Sequence, residues 1–135
     1  MGSRRKARES ALQVLFQLEF DESDSDKVLD QYWKGHKESE DTQEFCRLLV
    51  QGILSHRVEI DTHIESTSQH WRVSRMAHVD RNILRMAVYE LLYEKELAPA
   101  IVIDEALEIA KKFGSQETSK FVNGILDAIR KKMDN

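Results

Sequence analysis

Proline occurs once in the 135 residues, cysteine once and glycine five times, and each scarcity removes a class of protein. With Cys46 alone there is no disulfide framework, so the fold must rest on its own core. A chain of this length buries roughly two-thirds of its unfolded surface, which suffices. The lone thiol, between Phe45 and Leu48, reads as a reduced core side chain, a usage that suits a cytoplasmic location. The glycines (Gly2, Gly35, Gly52, Gly114, Gly124) are dispersed and form neither a phosphate loop nor a dinucleotide fingerprint, so no cofactor is expected. No apolar run approaches the ~20 residues that span a bilayer. The first eight residues carry charge without a following apolar stretch or small-residue cleavage site, so no signal peptide is expected. His56, His63 and His70 recur every seven residues, which on a helix sets them about 10 Å apart per step, too far to share one metal ion.

What the chain does contain is helical periodicity and charge. Hydrophobic residues make up 41% and charged residues 33%, the balance of a compact soluble protein and not of a disordered one. Ala7, Ala11, Leu12, Leu15 and Leu18 recur at three- and four-residue spacing and predict an amphipathic helix over residues 4–20. A short helix around Val28, Leu29, Tyr32 and Trp33 is expected to end at Gly35. Asp41 or Thr42 is placed to cap a helix with Phe45, Leu48, Leu49 and Ile53, and a nearly continuous helix should follow with Val58, Ile60 and Ile64. Residues 77–94 are apolar on almost every side, as a central helix would be, with Glu90 inside the apolar band and so expected to be tied to a neighbour. Pro99 interrupts the chain, and Ile103, Ala106, Leu107, Ala110 and Phe113 form the next stripe, stopped by Gly114. Ser115 caps a last helix striped with Val122, Leu126, Ile129 and Met133. There is no strand-like alternation, no repeat and no linker. The expected fold class is all-α, about seven helices in two packed helical subdomains, acting as a single domain over residues 1–135.

The net charge of −4 conceals an uneven distribution. Residues 1–20 carry four bases against two acids, and residues 21–44 carry nine acids against three bases. A basic arm on an acidic body can still bind a polyanion, because counterion release depends on charges at the contact. Arg4, Arg5, Lys6 and Arg8 open the first helix, where cations oppose the helix dipole, so they look placed for a partner or else form a solvated tail. Phe16 follows Arg5 by eleven residues and falls within about 20° of it on the helical wheel, and Phe121 sits about 100° from Val122. Such edge aromatics beside cations either finish a core or stack on unpaired bases.

Three blocks carry a family resemblance. Arg4-Arg5-Lys6-Ala7-Arg8-Glu9 resembles the arginine-rich opening of the NusB antitermination family, and Val79-Asp80-Arg81-Asn82-Ile83-Leu84-Arg85 with Met86-Ala87-Val88-Tyr89-Glu90-Leu91 resembles its central helix. Ile103 to Gly114, followed by Lys120-Phe121-Val122-Asn123-Gly124-Ile125-Leu126-Asp127, resembles its C-terminal helix pair. The resemblance implies a non-enzymatic protein that binds the boxA element of ribosomal RNA leader transcripts together with the ribosomal protein NusE, as part of the RNA polymerase antitermination complex. It further implies that Arg4, Arg5, Lys6 and Arg8 contact phosphates, that Phe16 and Phe121 stack or pack against bases, that Lys120 adds charge, and that Asp80 lies near the RNA and NusE surfaces. Phe16 stands where the family often has Tyr, and Asp104 where it commonly has Asn. Two other readings stay open on the sequence: a detached helical module of a ribosomal RNA methyltransferase, against which length and the missing cofactor loop argue, and a protein-interaction adaptor.

Overall fold

The computed structural model describes residues 2–68 and 71–134, and among them the chain forms seven α-helices and one 3₁₀ turn, with no strand. The helices are α1 (Gly2–Leu18), α2 (Ser25–Gly35), α3 (Glu40–Ser55), α4 (Arg57–Ser68), α5 (His78–Tyr93), α6 (Pro99–Phe113) and α7 (Gln116–Met133), with the 3₁₀ turn at Val73–Arg75. They gather into two compact units, Met1–Ser55 and His56–Asn135.

In the first unit α1, α2 and α3 pack on one another. Ala7, Ala11, Leu12, Val14 and Leu15 of α1 meet a core that includes Val28, Leu29, Cys46, Leu49, Val50 and Ile53, all at most 4% exposed. Val14 takes the inward place expected of Leu18, which is half-buried. Burial pushes the Cys46 thiol up to about 12, so it stays protonated and inert. The cap of α3 is Ser39 and not Asp41 or Thr42: its Oγ accepts from the Thr42 amide at 3.2 Å and lies 3.0 Å from Thr42 Oγ1. The helix therefore starts earlier than the first candidate caps, because a hydroxyl three residues ahead of an amide is what that amide needs. His56 separates α3 from α4.

In the second unit α5 packs against α4, α6 and α7, the central position expected of it. Residues 82–88 are buried without a break, since every side of the helix meets a neighbour. Arg85, 5% exposed, donates from Nε and Nη2 to both oxygens of Asp61 on α4 at 2.9 and 3.0 Å. This bidentate pair satisfies a cation that would be costly to bury alone. Val58, assigned to the inward stripe of α4, is 81% exposed; Ile60 and Ile64, one turn apart on the other face, are completely buried. Met133, at the fraying end of α7, is 39% exposed while Val122, Leu126 and Ile129 are buried.

Pro99 starts α6, where its missing N–H costs nothing. Gly114 ends that helix in extended backbone (φ −120°, ψ −164°), so left-handed geometry is not why glycine stands here. Space is the reason: a Cβ at Gly114 would come within 2.6–2.7 Å of Cγ2, Cβ and Oγ1 of Thr118. Thr118 is held in place because Ser115 and Thr118 form a reciprocal capping box at the start of α7.

Candidate nucleic-acid interface

The basic arm folds as the first turns of α1, with no acidic residue to offset the helix dipole. Arg4, Arg5 and Lys6 are exposed. Arg4 is not loose: its guanidinium sits 4.0 Å from the centroid of the Phe45 ring on α3, a cation–π contact that orients it. Lys6 lies 3.7 Å from Glu38 in an ion pair whose lysine is exposed and whose glutamate is half-buried. Arg4, Asp41, Thr42, Glu44, Phe45 and Leu48 line a surface groove of about 490 Å³, and Leu48 is 53% exposed.

Arg8 differs from the exposed phosphate contact that its place in the arm implied. It is 5% exposed, with its guanidinium 5.7 Å from the same Phe45 ring. The reason is helical spacing: Arg4 and Arg8 are four residues apart and share the face that α1 turns toward α3. Phe16, further along α1, is 40% exposed and pairs with Phe20 at 5.3 Å between centroids, an apolar pair left in water.

The second unit brings Asp80 and Phe121 together in a separate groove of about 440 Å³, with Trp71, Arg75 and the α7 cap. Phe121 is half-buried and meets the Trp71 ring edge to face, centroids 6.3 Å apart and planes at 79°. Asp80 Oδ1 accepts from the Thr118 hydroxyl at 3.0 Å, which ties the start of α5 to the start of α7. That tie makes Asp80 a residue that positions the groove. Exposed Glu117 adds negative charge to the wall, and Lys120, also exposed, is not among the lining residues. Sequence reasoning passed over Trp71 and Arg75. The signal was available: Trp71 is a large ring belonging to no apolar stripe, between a polar run and a one-turn element. Asp104 is exposed on α6.

No group of His, Cys, Asp or Glu among the described residues could hold a metal ion. Of the three spaced histidines, His56 stacks on Tyr93 (4.1 Å, 18°), His63 is exposed, and His70 lies outside the described residues. No helix of the described residues is long and apolar enough to cross a membrane.

Exposed cations on one helix start, an exposed aromatic pair on the same helix, and an aromatic groove edged by arginine define a helical binding protein with surfaces suited to a polyanion carrying unpaired bases. Comparison with known proteins makes the class definite. The chain matches the model of the NusB family over residues 5–131. It is 44% identical over 133 residues to the transcription antitermination protein NusB of Myxococcus xanthus, covering 96% of this chain and 95% of that one. Identity is likewise 44% to NusB of Elusimicrobium minutum, over 100% of this chain and 98% of the other. Among solved structures, T. maritima NusB matches with a TM-score of 0.87 at 39% identity, covering 96% of this chain and 91% of that chain. A chain from the crystal structure of antitermination factors NusB and NusE in complex with double-stranded RNA matches with a TM-score of 0.87 at 31% identity over 98% of both chains. This protein belongs to the NusB family.

Proposed function

We propose that this protein is a cytoplasmic transcription antitermination factor that binds the boxA element of ribosomal RNA leader transcripts together with the ribosomal protein NusE, and so helps RNA polymerase read through ribosomal RNA operons. The observation that carries the reading is the coincidence of a family match over residues 5–131 with a cation-rich, solvent-facing start of α1. The related structure solved with NusE and double-stranded RNA supports both partners.

Arg4, Arg5 and Lys6 supply phosphate contacts. Their value is electrostatic and independent of sequence, and it sets affinity and register on the strand. Arg8 acts beneath them: its buried guanidinium braces the Phe45 ring on which Arg4 lies, so it positions the arm and does not reach a phosphate itself. Phe16 and Phe121 offer ring faces to unpaired bases, and Lys120 adds charge near Phe121. The work is that of an adaptor, holding RNA and protein together with no bond made or broken.

A filter-binding titration of boxA RNA against a scrambled strand, with and without purified NusE, tests the reading. The parent should prefer boxA, and NusE should tighten that preference. Replacing Arg4, Arg5 and Lys6 by Ala removes up to three phosphate contacts, each about 0.7 in log–log salt slope on a single strand, so the slope should fall by up to about 2 with folding unchanged. Equal affinity for the scrambled strand, or an unaltered slope in the triple variant, overturns it.

A further inference from the structure

We propose that Trp71 is a base-stacking residue that works with Phe121, so that the groove of the second unit grips an unpaired RNA base between an aromatic pair and Arg75. The inference rests on the RNA-binding function just proposed and adds to it a residue outside the family-resemblance blocks and the apolar stripes of the sequence.

Trp71 is 54% exposed, whereas its near neighbours Val73 and Met76 are 2% and 6% exposed. The segment therefore turns its aliphatic side chains inward and leaves its largest ring in water. An unused apolar surface of that size, placed against another aromatic, needs a reason.

The backbone that carries the ring is fixed from several sides. The Ser68 hydroxyl donates to the Trp71 carbonyl at 2.6 Å, and the Val73 amide donates to Glu65 Oε2 at 2.8 Å. Arg81 Nη1 donates to the carbonyls of Val73, Ser74 and Met76 at 3.3, 3.2 and 3.5 Å. A ring presented on a pinned segment loses little further freedom when a partner arrives, which is the condition for efficient capture.

The geometry suits a base. In an edge-to-face pair the rim of one ring meets the face of the other, so the contact with Phe121 occupies only part of the two rings, and about half of Trp71 stays open to solvent. The groove of about 440 Å³ lies within the range of small-ligand pockets and has room for a base with its sugar. Arg75 lies in the same wall and supplies either a stacking plane or a phosphate contact. Asp80 and Glu117 oppose it, but the carboxylate of Asp80 is engaged by Thr118. Two rings with an arginine are the elements that single-stranded nucleic acid stacks upon, and the groove is continuous with Phe121, already a candidate for that contact.

The experiment uses intrinsic fluorescence. The chain has two tryptophans, so Trp33→Phe leaves Trp71 as the sole reporter in the full-length protein. Titrating boxA RNA should quench its emission along the same saturation curve that filter binding gives. Trp71→Ala should weaken boxA binding by about 5- to 150-fold, the range for losing one base–aromatic stack, while the denaturation midpoint stays near the parent's. Trp71→Phe, which keeps a ring face, should restore most of the affinity. Unchanged Trp71 emission with RNA bound, or a response only when a protein partner is added, overturns the inference and assigns the ring to a protein contact. A large stability loss in both Trp71→Ala and Trp71→Phe, with boxA affinity of the folded protein unaltered, overturns it in favour of packing. These outcomes leave the parent's preference for boxA intact; a parent that shows no such preference refutes the underlying function instead.

Discussion

Two glycines in adjacent elements should respond to the same substitution with opposite signs. At Gly114 an alanine keeps a permitted backbone, since φ −120° and ψ −164° suit any residue, but its methyl would lie 2.6–2.7 Å from three atoms of Thr118. Thr118 cannot yield cheaply, because it is 7% exposed, closes the capping box with Ser115, and donates to Asp80. Overpacking of this kind costs about 1–3 kcal/mol. If Thr118 rotates away, the cap (about 1 kcal/mol) and a hydrogen bond to a carboxylate (about 1.5–3 kcal/mol) go instead. The two routes together span a loss of about 1–4 kcal/mol for Gly114→Ala, or roughly 3–16 °C in Tm at this chain length. Gly124, inside α7 with nothing within 4 Å of the place a methyl would occupy, should gain about 0.5–1 kcal/mol as Ala, because the unfolded chain loses freedom that the helix never used. Gly114→Asn distinguishes space from backbone: asparagine tolerates left-handed conformations, so a position that needed them would accept it, whereas this crowded one should reject it as firmly as alanine. Urea denaturation of the three variants reads the result. A neutral or stabilising Gly114→Ala would refute the steric account of the α6–α7 junction.

Glu117→Gln removes a negative charge from the groove wall and from the first turn of α7, so boxA binding should tighten modestly while Tm falls slightly; unchanged or weaker binding in the titration would place the RNA path elsewhere. Phe121→Ala should cost about 1–3 kcal/mol of RNA affinity with a small stability loss, and Phe121→Tyr should behave almost normally in both assays, since a half-buried ring can direct a hydroxyl to water; a stability loss of about 3–5 kcal/mol in Phe121→Ala would instead mark a core residue. Cys46 should resist alkylation in the folded protein at pH 8 and react at the rate of unfolding, because burial pushes its thiol up to about 12. The sign follows for stability: the neutral thiol is fully compatible with the fold below the unfolded value of about 8.5, and its contribution should be lost as pH climbs from there toward 12, measurable as a falling denaturation midpoint.

Helices were legible in the sequence wherever burial is one-sided and periodic. The Ser115 cap and the position of Gly114 could be read from spacing and residue type, and α5 could be read as the central helix, but the burial of its Asn82 and Arg85 could not, since it depends on partners outside the local pattern. Misplacements fell where spacing alone leaves two faces equivalent. Val58 and Ile60 both fit an apolar stripe, and only the packing of α4 onto α5 and α7 decides that Ile60 goes in. Ser39, Asp41 and Thr42 all carry side chains able to cap α3, so residue type does not choose among them; the bond is made by the Ser39 hydroxyl. At the site, the charge of the arm was legible and its depth was not: that Arg8 turns inward depends on Phe45, 37 positions away on another helix. Asp80 likewise gains its positioning role from Thr118, 38 positions on, a pairing that one sequence cannot reveal.

The ion pair between Lys6 and Glu38 makes the arm its own first ligand. Any phosphate that engages Lys6 must displace a carboxylate already there, so this lysine contributes less to indiscriminate attraction than its exposure suggests. A surface pair of this kind, with its lysine in solvent, is worth only about 0–1 kcal/mol, small enough for a correctly seated strand to overcome and large enough to discount brief encounters. Because it weakens every complex by a similar amount, the ratio of affinities is unchanged, but among many RNAs of equal charge those held only by charge fall below useful occupancy first.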